Sequence, residues 1–259
     1  MRIAAVVEYD GSAFSGWQRQ NAARSVQQCV EEALSKVADE RIEVTVAGRT
    51  DAGVHALAQV IHFDTRAERN AYAWLRGANS NLPADVALLW VGEVSGEFHA
   101  RYSATGRHYD YAVFNNAVRP VHLRQRVTWD YRPLDVERMR AAASALIGLH
   151  DFTSFRAVEC QARSPVRELR ALEIERRGEL VHIHAYANAF LHHMVRNLAG
   201  VLMQIGAGER EPAWAKEVLE ARDRRRGGVT APPDGLYLTR VEYPETFVIP
   251  SPARDSGLW

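Results

Sequence analysis

Ala47-Gly48-Arg49-Thr50-Asp51-Ala52-Gly53-Val54-His55-Ala56 is the stretch on which the reading of this chain turns. A β-like run, Ile42-Glu43-Val44-Thr45-Val46, leads into it, and Ala58-Gln59-Val60-Ile61-His62-Phe63 leads out. Both runs carry the β-branched and aromatic residues that suit a half-buried pleated surface. Gly48 and Gly53 bracket the loop and permit backbone angles that other residues resist. Between them stand one carboxylate, Asp51, and one guanidinium, Arg49. A carboxylate on a tight loop between strands is held by rigid neighbours, as a nucleophile must be. The plain competing account is a surface turn with a solvated Asp and Arg, since turns favour Gly and Asp for backbone reasons alone.

Upstream, residues 2–9 are rich in Val and Ile and read as a buried first strand. A polar loop follows, Asp10-Gly11-Ser12-Ala13-Phe14-Ser15-Gly16-Trp17-Gln18-Arg19-Gln20. Ser25, with Gln28 three residues later, predicts a capped helix start. Val26, Cys29, Val30, Ala33, Leu34 and Val37 then recur at helical spacing and form its core face. Cys29 reads there as a small buried hydrophobe. Downstream of the loop, Asn70 to Ser80 reads as a second helix, with Tyr72, Trp74 and Leu75 available for packing, and Val86 to Val94 as a strand. The order strand, helix, strand, strand, helix, strand is the split βαβ pattern of ferredoxin-like domains, a recurrent RNA-binding scaffold.

The second half repeats that order approximately. It predicts a strand at 107–114, a helix from Asp135 to Ile147, and a short helix near Thr153 to Arg156. A hairpin follows, Val166 to Glu175 and Leu180 to Ala187, turning at Arg177-Gly178. Phe190 to Ile205 has the strongest helical period, and Arg196 falls almost opposite the centre of its apolar stripe. A last strand spans Gly235 to Val241. The predicted fold is α+β: two ferredoxin-like (RRM-like) halves, 1–104 and 105–259, sharing a mixed, largely antiparallel sheet with a cleft at their junction.

Composition narrows the function. Lys plus Arg and Asp plus Glu are each 32, so net charge gives no pointer to nucleic acid; basic groups would have to gather on one face. Such gathering occurs in Phe98-His99-Ala100-Arg101-Tyr102, where aromatic and basic side chains interleave. Arg222-Asp223-Arg224-Arg225-Arg226-Gly227-Gly228 is the densest basic run and reads as a mobile loop able to meet phosphate. No apolar run approaches the ~20 residues a membrane helix needs. The N-terminus is too short and too soon acidic for a signal peptide. Two cysteines, Cys29 and Cys160, form no disulfide framework, which points to a reducing cytosol. His192 and His193 have no Asp, Glu or Cys at metal-ligand spacing, so no metal is expected.

Several separated motifs together resemble the tRNA pseudouridine synthases of the TruA family. They are Tyr9-Asp10-Gly11 with Gly16-Trp17-Gln18-Arg19-Gln20; Gly48 to His55; Phe98-His99-Ala100-Arg101; Asp151-Phe152-Thr153-Ser154-Phe155-Arg156; Asn188 to Asn197; and Gly235-Leu236-Tyr237-Leu238. The resemblance implies the pseudouridine synthase fold, a homodimer, no cofactor, and isomerisation of uridine at positions 38, 39 and 40 of the tRNA anticodon stem-loop. It implies that Asp51 is the nucleophile, that Arg49 assists flipping, that Tyr109 contacts the flipped base and that Arg196 pairs with the aspartate. It further implies tRNA contacts at Phe98, His99, Ala100, Arg101 and Tyr102, and at Glu159, Cys160, Gln161, Ala162 and Arg163. A non-catalytic RNA-binding module on the same scaffold would keep the interleaved aromatic and basic residues without needing Asp51. A carboxylate-dependent hydrolase would need a second acid or a metal at known spacing, and neither stands in the sequence.

Overall fold

A computed structural model describes residues 1–251 of the 259-residue chain. The described residues divide into two units: Met1–Thr105 together with 237–251, and Gly106–Leu236. The sequence places the whole of 105–259 in the second half. The closing segment instead counts with the first unit, because Tyr237 and Leu238 pair in parallel with His55 and Ala56.

In the first unit, β1 (Arg2–Tyr9) is flanked on both sides by antiparallel partners, β3 (His55–Asp64) and β4 (Val86–Val94). Ile3 to Val7 are buried on both faces, as their unbroken apolar run requires. The strand predicted at Ile42 to Val46 shrinks to β2 (Thr45–Val46), opposite His62 and Ile61. Upstream of it the backbone amides go to side chains instead of a strand: Ile42 N donates to Ser35 Oγ at 2.9 Å and Val44 N to Glu31 Oε1 at 3.1 Å. The far half of β3 takes β2, and the near half takes the closing strand β10 (Leu236–Glu242).

Two helices cover this sheet. α1 (Val26–Ala38) starts where Ser25 Oγ accepts the Gln28 amide at 3.4 Å. Gln28 turns its own amide to Glu32 rather than back to the cap, so only half of the predicted box forms. Glu31, polar by sequence, is buried on this helix: it takes Arg19 Nη1 at 3.1 Å and the Val44 amide at 3.1 Å. Cys29 is half-buried rather than buried. α2 (Ala71–Asn81) is capped by Asn70, whose Oδ1 accepts the Ala73 amide at 2.8 Å. Trp74 is its buried anchor, whereas Tyr72 points to solvent and is 71% exposed.

In the second unit the strands run β5 (Gly106–Asn115), β9 (Leu180–Ala187), β8 (Val166–Arg177) and β7 (Gly148–Asp151), all antiparallel. β6 (Thr128–Asp130) lies parallel to β5. β6 and β7 are too short to announce themselves by periodicity. The β8–β9 hairpin turns at Gly178, whose φ of +61° is the left-handed value a side chain resists. α3 (Val136–Ser144) stops short of the predicted Ile147. The expected short helix is a 3₁₀ turn, Thr153–Phe155.

α4 (Met194–Gly206) begins four residues later than its apolar period suggests, because His193 adopts a left-handed φ of +62° that ends helical propagation upstream. It is buried almost all round. Met194, Leu198, Val201, Leu202 and Ile205 face the core, and the opposite side receives the segment at Val229. A Cβ on Gly200 would stand 1.9 Å from Val229 O, so only glycine admits that contact. α5 (Trp214–Ala221) completes the unit.

Candidate active site

Asp51 sits at the start of the Asp51–Val54 turn, half-buried, with Arg49 exposed before it and Thr50 buried between them. Two backbone bonds tie this loop to the upstream segment 10–17. Trp17 N donates to Thr50 O at 3.0 Å, and Gly53 N donates to Phe14 O at 3.3 Å. The loop is therefore fastened on both sides of Asp51, and the carboxylate's backbone has little freedom.

Buried side chains complete the fastening. The Tyr9 hydroxyl and Thr50 Oγ1 share a hydrogen bond at 2.8 Å. Gln59 Nε2 donates to Gly48 O at 2.7 Å and reaches Tyr9 Oη at 3.5 Å. Burial pushes the Tyr9 phenol up to about 12, against the opposing pull of Thr50 and Gln59. His55 Nδ1 lies 3.0 Å from the Gly11 amide nitrogen and 3.3 Å from Asp10 Oδ1. The His55 ring stacks on Tyr237 at 4.5 Å and 15°.

The glycines of the upstream segment have a steric purpose. Gly16 has φ +92°, and a Cβ there would meet Thr50 O at 2.7 Å. A Cβ on Gly11 would lie 1.9 Å from Val54 O. Tyr9-Asp10-Gly11 and Gly16-Trp17 are thus the bed on which the aspartate loop lies. Sequence reasoning quoted these residues without giving them that role. Their signal is the pairing of glycines with large aromatics in a segment otherwise polar.

The remaining catalytic candidates belong to the second unit. Tyr109, on β5, is half-buried and meets Phe190 edge-on at 5.1 Å and 86°. Two residues on, Tyr111 faces the core: its hydroxyl bonds Thr128 Oγ1 at 2.6 Å and donates to Pro232 O at 2.9 Å. Arg196 occupies the first turn of α4, where the helix dipole disfavours a cation and which holds no acidic residue of its own. It is half-buried, and its Nε donates to Ala231 O at 2.8 Å.

The predicted RNA-contact residues divide by exposure. Phe98 and Ala100 are fully buried, Phe98 against Tyr243 and Phe247 at 5.0 and 5.3 Å. His99 is half-buried, whereas Arg101 is exposed and Tyr102 is 76% exposed. Glu159, Gln161 and Arg163 are exposed on an irregular loop, with Cys160 and Ala162 half-buried. The basic run is not a loose loop. Arg224–Arg226 form a 3₁₀ turn capped by Asp223. Arg224 turns inward, donating to Gly228 O, Asn197 Oδ1 and Thr230 Oγ1 at 2.8–3.0 Å.

One cluster in the second unit combines metal-ligand types: Asp110, His182 and His184. Nδ1 of His182 is 3.2 Å, and Nδ1 of His184 3.4 Å, from separate oxygens of Asp110. The two rings stack within 7° of parallel at 5.7 Å. The arrangement brings two imidazoles onto the two oxygens of one carboxylate.

The chain matches the family described as tRNA pseudouridine synthase over residues 5–103 and 142–244. It therefore belongs to the tRNA pseudouridine synthase family. It is 59% identical over 250 residues to tRNA pseudouridine synthase A of Pseudomonas aeruginosa, covering 96% of this chain and 88% of that relative. The enzyme of the same name from Nitrosococcus oceani is 56% identical over 259 residues, covering 100% of both chains. A solved Cbf5-Nop10-Gar1 complex aligns with 92% of this chain and 58% of its own at a TM-score of 0.37 and 9% identity, too distant to add to this. Among the described residues no helix is long and apolar enough to cross a membrane.

Proposed function

We propose that this chain isomerises uridine to pseudouridine in the anticodon stem-loop of tRNA, at positions 38, 39 and 40, with the Asp51 carboxylate as nucleophile. The observation that supports this reading is a carboxylate on a loop fastened at Thr50 and at Gly53, in a chain of the tRNA pseudouridine synthase family. The net chemistry is balanced. The N1–C1′ bond breaks, a C5–C1′ bond forms, the proton leaves C5 and N1 gains one. Nothing is oxidised or hydrolysed, and a positioned carboxylate that adds and then departs is a sufficient covalent catalyst.

Arg49 is exposed and two residues from the nucleophile, the position from which a flat cation fills the gap left by a flipped base. Tyr109 offers a ring to the uracil and a hydroxyl for the C5 proton. Arg196 supplies the positive charge that keeps the carboxylate ionised once a base excludes water. Arg101 and Tyr102, with the loop Glu159–Arg163, hold the RNA by charge and stacking. The enzyme works as a homodimer in the cytoplasm.

The test is release of tritium from tRNA labelled at C5 of uridine. The unaltered chain releases label, and Asp51→Asn releases none while binding tRNA within about tenfold of normal. Release by the Asn form at near the normal rate removes Asp51 from the chemistry. Transcripts with a single uridine at 38, 39 or 40 test the positions.

A further inference from the structure

The turn at Phe98–Ser103 is held in an unusual manner. Its backbone closes through Ser103 N donating to His99 O at 2.9 Å. Outside the turn, Arg2 Nη1 donates to Gly96 O and Phe98 O at 2.6 and 2.9 Å, and Tyr243 Oη donates to Ala100 O at 2.7 Å. The three successive amides of Ala100, Arg101 and Tyr102 all end on imidazole nitrogen. Ala100 N donates to His62 Nδ1 at 3.1 Å, while Arg101 N and Tyr102 N donate to His99 Nδ1, each at 3.2 Å.

A ring nitrogen accepts a hydrogen bond only when it carries no proton. Both imidazoles must therefore be neutral, with hydrogen on Nε2, for the turn to keep this shape. Their centroids are 4.8 Å apart, so protonating both would also crowd two cations. The charged groups around His62 are Arg2 on β1, Asp64 on its own strand and His99 on the turn. Arg2 and Asp64 are already bound to each other through a fork at 2.9 and 2.8 Å. Burial, then Arg2 and His99, push His62 down to about 4, so the fold resists its protonation.

We infer that His62 is a positioning residue for RNA binding: through the Ala100 amide it holds Arg101 and Tyr102 outward, and acid that protonates it lets the turn go. The inference rests on the proposal that Arg101 and Tyr102 meet tRNA. His62 is 5% exposed and on β3, so it touches no RNA itself. The device makes affinity, rather than the chemical step, sensitive to acid.

Two variants test it on the full chain. His62→Leu removes the acceptor; His62→Asn keeps an oxygen near the Nδ1 position but cannot titrate. His62→Leu should raise KM for tRNA about tenfold with kcat within twofold, and abolish hydrogen-exchange protection of the Ala100 amide. His62→Asn should restore KM, and its KM should rise less between pH 7.5 and pH 4 than that of the unaltered chain. Retained Ala100 protection in His62→Leu, or an equally steep acid rise in His62→Asn, overturns the inference. If His62→Leu does not fold, the pH profile of His62→Asn decides alone. Arg101→Ala and Tyr102→Ala test the underlying proposal separately. If they raise KM while His62→Leu loses protection without changing KM, the contact stands and the inference falls; if they leave KM unchanged, the contact itself is wrong.

Discussion

The hydroxyls of Tyr9 and Thr50 are hydrogen-bonded at 2.8 Å inside the first unit, tying the end of β1 to the residue before Asp51. Tyr9→Phe leaves the ring packed and Thr50 Oγ1 short of a partner. It should cost about 1 kcal/mol in urea unfolding, and lower kcat several-fold with KM for tRNA little changed. The sign of its pH effect is fixed. The folded phenol holds its proton up to about 12, whereas an unfolded tyrosine releases it near 10. Its contribution is fully present below pH 10 and is lost as pH rises from 10 towards 12. The Phe variant should therefore show a shallower alkaline decline in stability, measured by melting between pH 8 and 11.

Gly16→Ala combines a left-handed φ of +92° with a Cβ 2.7 Å from Thr50 O. The strain is on the order of 1–3 kcal/mol, and it falls on the loop that carries Asp51, the proposed nucleophile. Thermal melting should show the loss, and turnover should fall at least tenfold. Gly96→Ala is the control: a Cβ there meets nothing within 4 Å, so melting should not move.

Arg224 stands in the basic run that the sequence reads as able to meet phosphate, yet it is spent on Gly228, Asn197 and Thr230. Arg224→Ala should destabilise by about 2 kcal/mol, since it strips bonds from buried acceptors. It should leave the salt dependence of tRNA binding unchanged. A phosphate contact would instead reduce the slope of log K against log salt by about 1.

Arg49→Ala should slow turnover more on a uridine inside a paired stem than on the same uridine unpaired. Extrusion from a stack costs a few kcal/mol, and only the stem substrate incurs it. Single-turnover rates on the two RNAs make the comparison. Equal losses on both would remove Arg49 from base flipping.

Local signals were legible in the sequence wherever one element carried them whole. Ser25 and Asn70 marked helix starts, and Arg177-Gly178 marked the hairpin. What escaped depended on distant partners. β2 is clipped to two residues because the Ile42 and Val44 amides go to Ser35 and Glu31 on α1. Phe190 and Leu191 fit the helical stripe, but the backbone at His193 turns left-handed before α4 begins. Glu31 lies inside because Arg19 and the Val44 amide come to meet it. At the candidate site, the motif drew attention to Asp51 and Arg49. Tyr9, Trp17, His55 and Gln59 owe their roles to bonds spanning many positions, which no local pattern displays. Phe98 and Ala100 stand in the stretch that the family resemblance assigns to tRNA contact, and their burial comes from packing partners far along the chain.

The stacking of His55 on Tyr237, and the two-residue pairing beside it, also sets an order of events in synthesis. A chain still threading through the ribosome can build β1, β3 and β4 early, but the edge beside the aspartate loop stays open until Tyr237 and Leu238 have emerged. Nascent protein therefore holds an unfinished aspartate loop through most of its translation, and the loop's setting is completed with the return of that distant strand.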